Sequence, residues 1–308
     1  MARRASEETL EPRRRRVGLR TGLTTLVASA IAVIAAMTFG PSTGPPPTLS
    51  RVPAEAPQPL AALLEEPDIA AWFKALEAAK PFAAADIRAR LVQAARDKDE
   101  EALARLILLA AFGQFNDNAR EVKAAPVSSY DRLLDHVEVG FRALKAQGSD
   151  WCNGAHIEDF LRQNDTDLVP RLLDQFHYGT EGYAWALTLS RLTLEASLAG
   201  QNEGIRHRLP SPTDKLLIQQ RGVRLGAEQW LLALQVSSFS NAEGQSYALM
   251  REAVSNLQVC DLALAVTGLS DELPEDTRVR VWADLIPEMM VANTPYVLAR
   301  MNDYFFLD

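Results

Sequence analysis

An uncharged segment of 19 residues, Thr21–Phe39 ("TGLTTLVASAIAVIAAMTF"), constrains this 308-residue chain more than any other feature in it. At about 1.5 Å per helical residue it reaches across a hydrocarbon core of about 30 Å, and an apolar run of that length reads as a membrane segment before it reads as a buried helix. Seven arginines stand on its N-terminal side: Arg3, Arg4, Arg13, Arg14, Arg15, Arg16 and Arg20. Cationic residues collect on the cytoplasmic side of such segments. The expectation is therefore a basic cytoplasmic tail over 1–20 and a single transmembrane helix over 21–39 of the inner (plasma) membrane. Everything after Gly40 lies outside, periplasmic or extracellular.

A rival reading removes this segment as an export signal. Signals end in a small-x-small cleavage site, and Thr38 and Gly40 followed by Pro41 make a poor one. The better spacing, Ala28 to Ala30, falls inside the apolar run. The "RRVGLR" of 15–20 has the look of a twin-arginine signal, with Gly18 where a bulky apolar residue is usual. Both readings deliver residues 50–308 to the same side. If the segment stays, Ala28, Ala32 and Ala36 are spaced to let two anchors pack closely.

Seven of the twenty residues from Gly40 to Pro59 are proline. Such a stretch forms neither helix interior nor sheet ladder, and it predicts an extended, semi-rigid stalk over 40–59. The first forty residues hold those seven arginines and three glutamates. Removing them from the chain's 32 basic and 40 acidic residues leaves 25 and 37, a formal charge of −12. That balance disfavours nucleic acid, whose phosphates require a positive groove, and it disfavours broad adhesion to anionic surfaces.

The remainder reads as all-α. Ile69, Trp72, Phe73 and Leu76 recur at helical spacing, as do Leu103, Leu106, Ile107 and Ala110. Tyr130, Leu133, Leu134, Val137, Phe141 and Leu144 keep one stripe until Gly148, and Trp282, Leu285, Ile286 and Met289 make another. Ser211, Pro212 and Asp214 together form a helix-start signal. From Gly182 to Gly200 the chain is apolar nearly all round. Arg191 and Glu195, spaced i, i+4, make it a poor membrane span and a good central core helix. A lapse of apolar period over 116–129 suggests a division into an N-terminal helical region, 60–115, and a main helical domain, 116–308.

Function hinges on a few residues. Cys152 and Cys260 are the two cysteines; in an oxidising compartment an even number of thiols is usually paired, so a disulfide is expected. Cys260 sits on an apparent helical stripe of Met250, Ala253, Leu257, Cys260 and Leu264. The four histidines, His136, His156, His177 and His207, form no HxxxH or HExxH spacing, so no metal site is expected. No GxSxG, P-loop or glycine-rich dinucleotide loop occurs, so no cofactor is expected. Tyr178, Tyr183 and Trp185 supply aromatic area for a binding groove.

Glu158 and Asp159, with Asp165 and Asp167 nearby, are the candidate general acid and base of an envelope hydrolase directed at glycan. The favoured expectation is a non-catalytic interaction or scaffolding protein of the cell envelope that displays a stapled helical domain to a protein partner.

Overall fold

The computed structural model describes residues 58–163, 175–228 and 255–291, together with Tyr296, Arg300, Asp303 and Tyr304. The expected anchor, 21–39, lies outside the described residues. Among them, no helix is long and apolar enough to cross a membrane. Every regular element described is helical: α1 Gln58–Glu65, α2 Pro67–Ala79, α3 Pro81–Ala94, α4 Glu100–Val122, α5 Val127–Ala146, a 3-10 turn Asp150–Cys152, α6 Gly154–Gln163, α7 Glu181–Glu203, α8 Pro212–Glu228, α9 Val259–Asp271 and α10 Glu275–Met290. The β-type pairing among the described residues is one isolated antiparallel bridge, Asn153 with Gln258. Gln58 and Pro59, expected to close the stalk over 40–59, instead begin α1, and the rest of that stretch lies outside the described residues. Proline at the second helical position costs little there, where the missing N–H has no intrahelical acceptor.

The ends of the helices follow from local chemistry. The side chain of Asp99 accepts the Ala102 N–H at 2.9 Å and opens α4, with Glu100 and Glu101 in the favourable first turn. Thr180 Oγ1 accepts the Tyr183 N–H at 3.3 Å and opens α7, and Gly204, at φ +59°, closes it in a left-handed conformation that costs glycine little.

Helix α7 is the axis of the fold. It packs along α4, α2 and α5, while α9 and α10 cover α5, and α10 also meets α4. Buried positions occur all round it: Ala186, Leu187, Leu189, Leu194 and Ala196 are inaccessible or nearly so. The central helix expected from the run Gly182–Gly200 is present, and Arg191 pairs with Glu195 at 2.9 Å on its less buried flank, as expected. Glu195 also accepts from Arg132 on α5. Hydrogen bonds fix the three-helix contact. Trp72 Nε1–H donates to Ser190 Oγ at 2.9 Å, and the Ser190 hydroxyl donates to the Ala111 carbonyl at 3.0 Å, so α2, α7 and α4 share one chain of donors.

One hydrophobic cluster extends from Leu60 to Tyr304. The division expected between 115 and 116 falls inside α4, which runs unbroken to Val122. The lapse in period there has a local cause: Asn118 is buried in a core position, with its amide donating to the Gln114 carbonyl at 2.6 Å. The phase of α4 also differs from expectation. Leu106 and Ala110 are half-buried, and the core face instead carries Leu103, Ala104, Ile107, Leu108, Ala111, Phe112 and Phe115. An unbroken apolar run carries no phase of its own, so neighbouring helices set it.

Helices α4 and α7 approach closely at Gly200. A Cβ added there would stand 1.9 Å from the Glu121 carbonyl oxygen and 3.2 Å from the Ala125 nitrogen. Main-chain atoms cannot rotate away as a side chain can. Gly200→Ala is therefore expected to cost about 2 to 3 kcal/mol in urea unfolding, despite the better helix propensity of alanine. An unchanged denaturation midpoint would show that the two helices do not approach this closely.

Candidate functional site

The segment Ser149–Phe160 is built by short-range rules. Ser149 Oγ accepts the Trp151 N–H at 3.3 Å, which tightens the chain into the 3-10 turn, and Asn153 Oδ1 accepts the Ala155 N–H at 2.9 Å, which starts α6. Gly154 N–H then donates to the Leu257 carbonyl at 2.9 Å. This contact corrects the expected stripe through Cys260. The backbones of Leu257 and Gln258 instead meet Gly154 and Asn153, and α9 begins only at Val259. Met250 and Ala253 lie outside the described residues.

Cys152 and Cys260 are bonded across a sequence separation of 108, with Cα atoms 4.8 Å apart. Cys260 is buried and Cys152 half-buried. Trp151 shields the turn, set edge-on to His156 and Phe160 at 5.1 and 5.0 Å.

Glu158 and Asp159 occupy consecutive positions of α6, Glu158 buried and Asp159 half-buried. Neighbours on a helix point about 100° apart around its axis. A glycan-cleaving pair must instead face each other across the bond it breaks. Asp165 and Asp167 lie outside the described residues. Among the described residues no three His, Cys, Asp or Glu side chains converge in a metal-binding group.

The aromatic candidates separate. Tyr183 is buried, and its hydroxyl donates to the Ala104 carbonyl at 2.9 Å. Burial pushes its phenol far above the ordinary range. Tyr178 is half-buried, meets Tyr183 edge-on at 5.6 Å and donates to Glu100 at 3.1 Å.

Trp185 is locked against α5 by a reciprocal pair of bonds. Its Nε1–H donates to the His136 carbonyl at 3.0 Å, while His136 Nε2 lies 2.9 Å from the Trp185 carbonyl and must donate to it. The two rings stack at 5.3 Å, 14° from parallel. A Cβ at Gly140 would come within 2.5 Å of the indole nitrogen. These three aromatics join helices, and Tyr183 in particular offers no face to a ligand.

His136 carries a pH dependence. Burial lowers its pKa, the bond to the Trp185 carbonyl works against that, and Arg191 adds to the lowering. A base with a depressed folded pKa stabilises the fold above its unfolded pKa, about 6.5, and that stability drains as pH falls through the folded value. Wild-type protein is expected to lose stability as pH falls below about 6.5, and His136→Phe to flatten that part of the profile. Urea midpoints measured across this range decide it, with parallel profiles as the contrary result.

A second polar assembly left little trace in the sequence. Ser211 and Asp214 form the expected cap of α8: the Ser211 N–H donates to Asp214 Oδ2 at 2.7 Å, and the Asp214 N–H donates to Ser211 Oγ at 3.2 Å. Helix α10 then adds what local sequence does not announce. Arg280 donates to both Asp214 oxygens at 2.9 and 2.7 Å, and Thr277 Oγ1–H donates to Oδ1 at 2.6 Å. The carboxylate is 2 % exposed. Burial pushes its pKa up, but the Arg280 guanidinium and the Ser211 and Thr277 bonds outweigh that and hold it far below the usual carboxylate range.

The neighbouring Asp284 accepts Tyr296 and Tyr304 hydroxyls at 2.7 and 2.5 Å, and Lys215 on α8 pairs with Asp303. Tyr304 is thereby tucked into the core, while Phe305, Phe306 and Leu307 lie outside the described residues. These groups satisfy one another, and the arrangement acts as a lock between α8, α10 and the C-terminal residues. Comparison of the chain with protein families, with curated proteins and with solved structures found no significant match.

Proposed function

We propose that the protein is a non-catalytic helical interaction or scaffolding protein of the cell envelope, held in the membrane by residues 21–39 and presenting its stapled domain to a protein partner. The arginine tail, the uncharged run and the proline-rich stalk support the anchorage and the outward topology. A disulfide fits an oxidising compartment. The observation that carries the binding role is a pair of exposed apolar side chains, one on α3 and one on α4. Phe82 is 90 % exposed in the first turn of α3, and Leu109 is 45 % exposed on α4. Gly113, one turn beyond Leu109, is also exposed, with nothing within 4 Å of an added Cβ. Lys80, immediately before α3, donates to the Asp117 carbonyl at 3.1 Å and seats this end of α3 beside the second half of α4.

A phenylalanine left in water forgoes about 2 kcal/mol of burial, which a docking partner would recover. Phe82→Ser with Leu109→Ser is expected to leave the unfolding midpoint within about 0.5 kcal/mol of wild type, since neither side chain is buried. The same variant should abolish partner capture by a photocrosslinker placed at Gln93 in native cells. Undiminished crosslinking would sink the reading. Loss of cellular role in Glu158→Gln with Asp159→Asn, at normal stability, would move the assignment to the hydrolase alternative.

A further inference from the structure

We infer that Cys152 is a thiol-exchange site: its sulfur is where a dithiol oxidoreductase opens and closes the bridge to Cys260 in the folded chain, with Cys260 as the leaving group. The two halves of the bond differ in access. Cys152 ends the 3-10 turn and is half-buried, whereas Cys260 is 1 % exposed within the core cluster. A thiolate must approach in line with the sulfur–sulfur bond, so the sulfur of the less buried residue is the one attacked.

They differ also in what each becomes after cleavage. Cys260 is the second residue of α9, in a turn whose free N–H groups favour negative charge. The acid next to it, Asp261, is neutralised by Lys145 from α5 at 2.5 Å. Burial opposes a thiolate at Cys260, and the helix start offsets that cost, which favours departure of the electron pair there.

The chemistry balances as two exchanges. The first thiolate of the reductant attacks Cys152 Sγ, a new sulfur–sulfur bond forms there, and the electron pair of the old bond departs on Cys260. The reductant's second thiolate then attacks its own bonded sulfur and releases Cys152 as a thiolate. The protein gains two electrons, the reductant ends as a disulfide, and the two protein thiolates take protons from water. The reverse sequence closes the bridge. The backbone contacts of Asn153 with Gln258 and of Gly154 with Leu257 keep the two segments together meanwhile.

The full-length protein in detergent, treated with reduced glutathione and quenched with iodoacetamide, tests the direction of attack. Peptide mapping should place glutathione on Cys152 and the alkyl group on Cys260, in at least tenfold excess over the opposite pattern, at a rate unchanged by low urea. Glutathione on Cys260, or a rate that climbs with urea as unfolding does, overturns the inference. Single variants supply a second reading. Cys260→Ser should form a mixed disulfide with glutathione disulfide at least tenfold faster than Cys152→Ser, and equal rates would overturn it as well. Should either variant fold poorly, the wild-type mapping stands alone.

Discussion

Cys152→Ser combined with Cys260→Ser is expected to lower the unfolding free energy by about 5 kcal/mol, the largest single effect in this protein. The bridge closes a loop across a separation of 108 residues, and loop-closure entropy assigns a cross-link of that span a stabilisation of about 4.8 kcal/mol. Little strain offsets this, because the backbone on both sides already pairs: Gly154 N–H reaches the Leu257 carbonyl without help from the sulfurs. For a domain of this size the loss corresponds to a fall of about 10 to 20 °C in Tm. Calorimetry of the double variant beside the oxidised wild type measures it. A fall under about 3 °C would mean that the bridge restrains little in the unfolded chain, and the entropic account would fail.

Asp214→Ala is expected to cost about 3 to 5 kcal/mol, which exceeds the loss of a helix cap, about 1 kcal/mol. The difference comes from Arg280. Its guanidinium donates to both carboxylate oxygens, and Thr277 loses its acceptor at the same time. Removing one member of a buried pair leaves the other's charge uncompensated, whereas replacing both need not. Asp214→Leu with Arg280→Met should therefore recover at least half of the loss in guanidinium unfolding. If the single and double variants are equally unstable, the pair is incidental and the cap carries the effect. The depressed carboxyl adds a sign: its contribution is present above the ordinary carboxylate range and is lost only as pH falls far below it, so Asp214 protects the fold through mild acid.

These two sites show what a linear reading reaches. The start of α8 was legible, because Ser211, Pro212 and Asp214 act within one turn of each other. Arg280 was not, because it meets Asp214 across 66 positions and no local pattern marks an arginine destined to pair with a buried carboxylate. The central helix was legible from its apolar circumference and its one charged pair, which is a property of the helix itself. The working face of α4 was not, since its partners α7 and α10 come later in the chain and choose the phase. Cys260 was rightly expected in the core, but the helix that carries it starts only one residue before it, at Val259. A backbone contact with Asn153 and Gly154 precedes α9, and stripe counting has no term for a tertiary backbone contact. The hydrogen-bond partners of Tyr183 and Trp185 were not legible for a related reason. Tyr183 and Trp185 have polar tips, and both tips found main-chain carbonyls inside the bundle.

The span of the disulfide has a consequence for the order in which the molecule is made. Ribosomes deliver Cys152 long before Cys260, and by then α2, α4 and α5 are complete and α7, the element they all contact, has followed. The core around Trp72, Ser190 and Ala111 can form while Cys152 is still waiting for its partner. Oxidation is thus a finishing step, laid down on a largely assembled bundle. A nascent chain halted before Val259 should already resist protease through α7 while its one thiol remains open to mispairing with other chains.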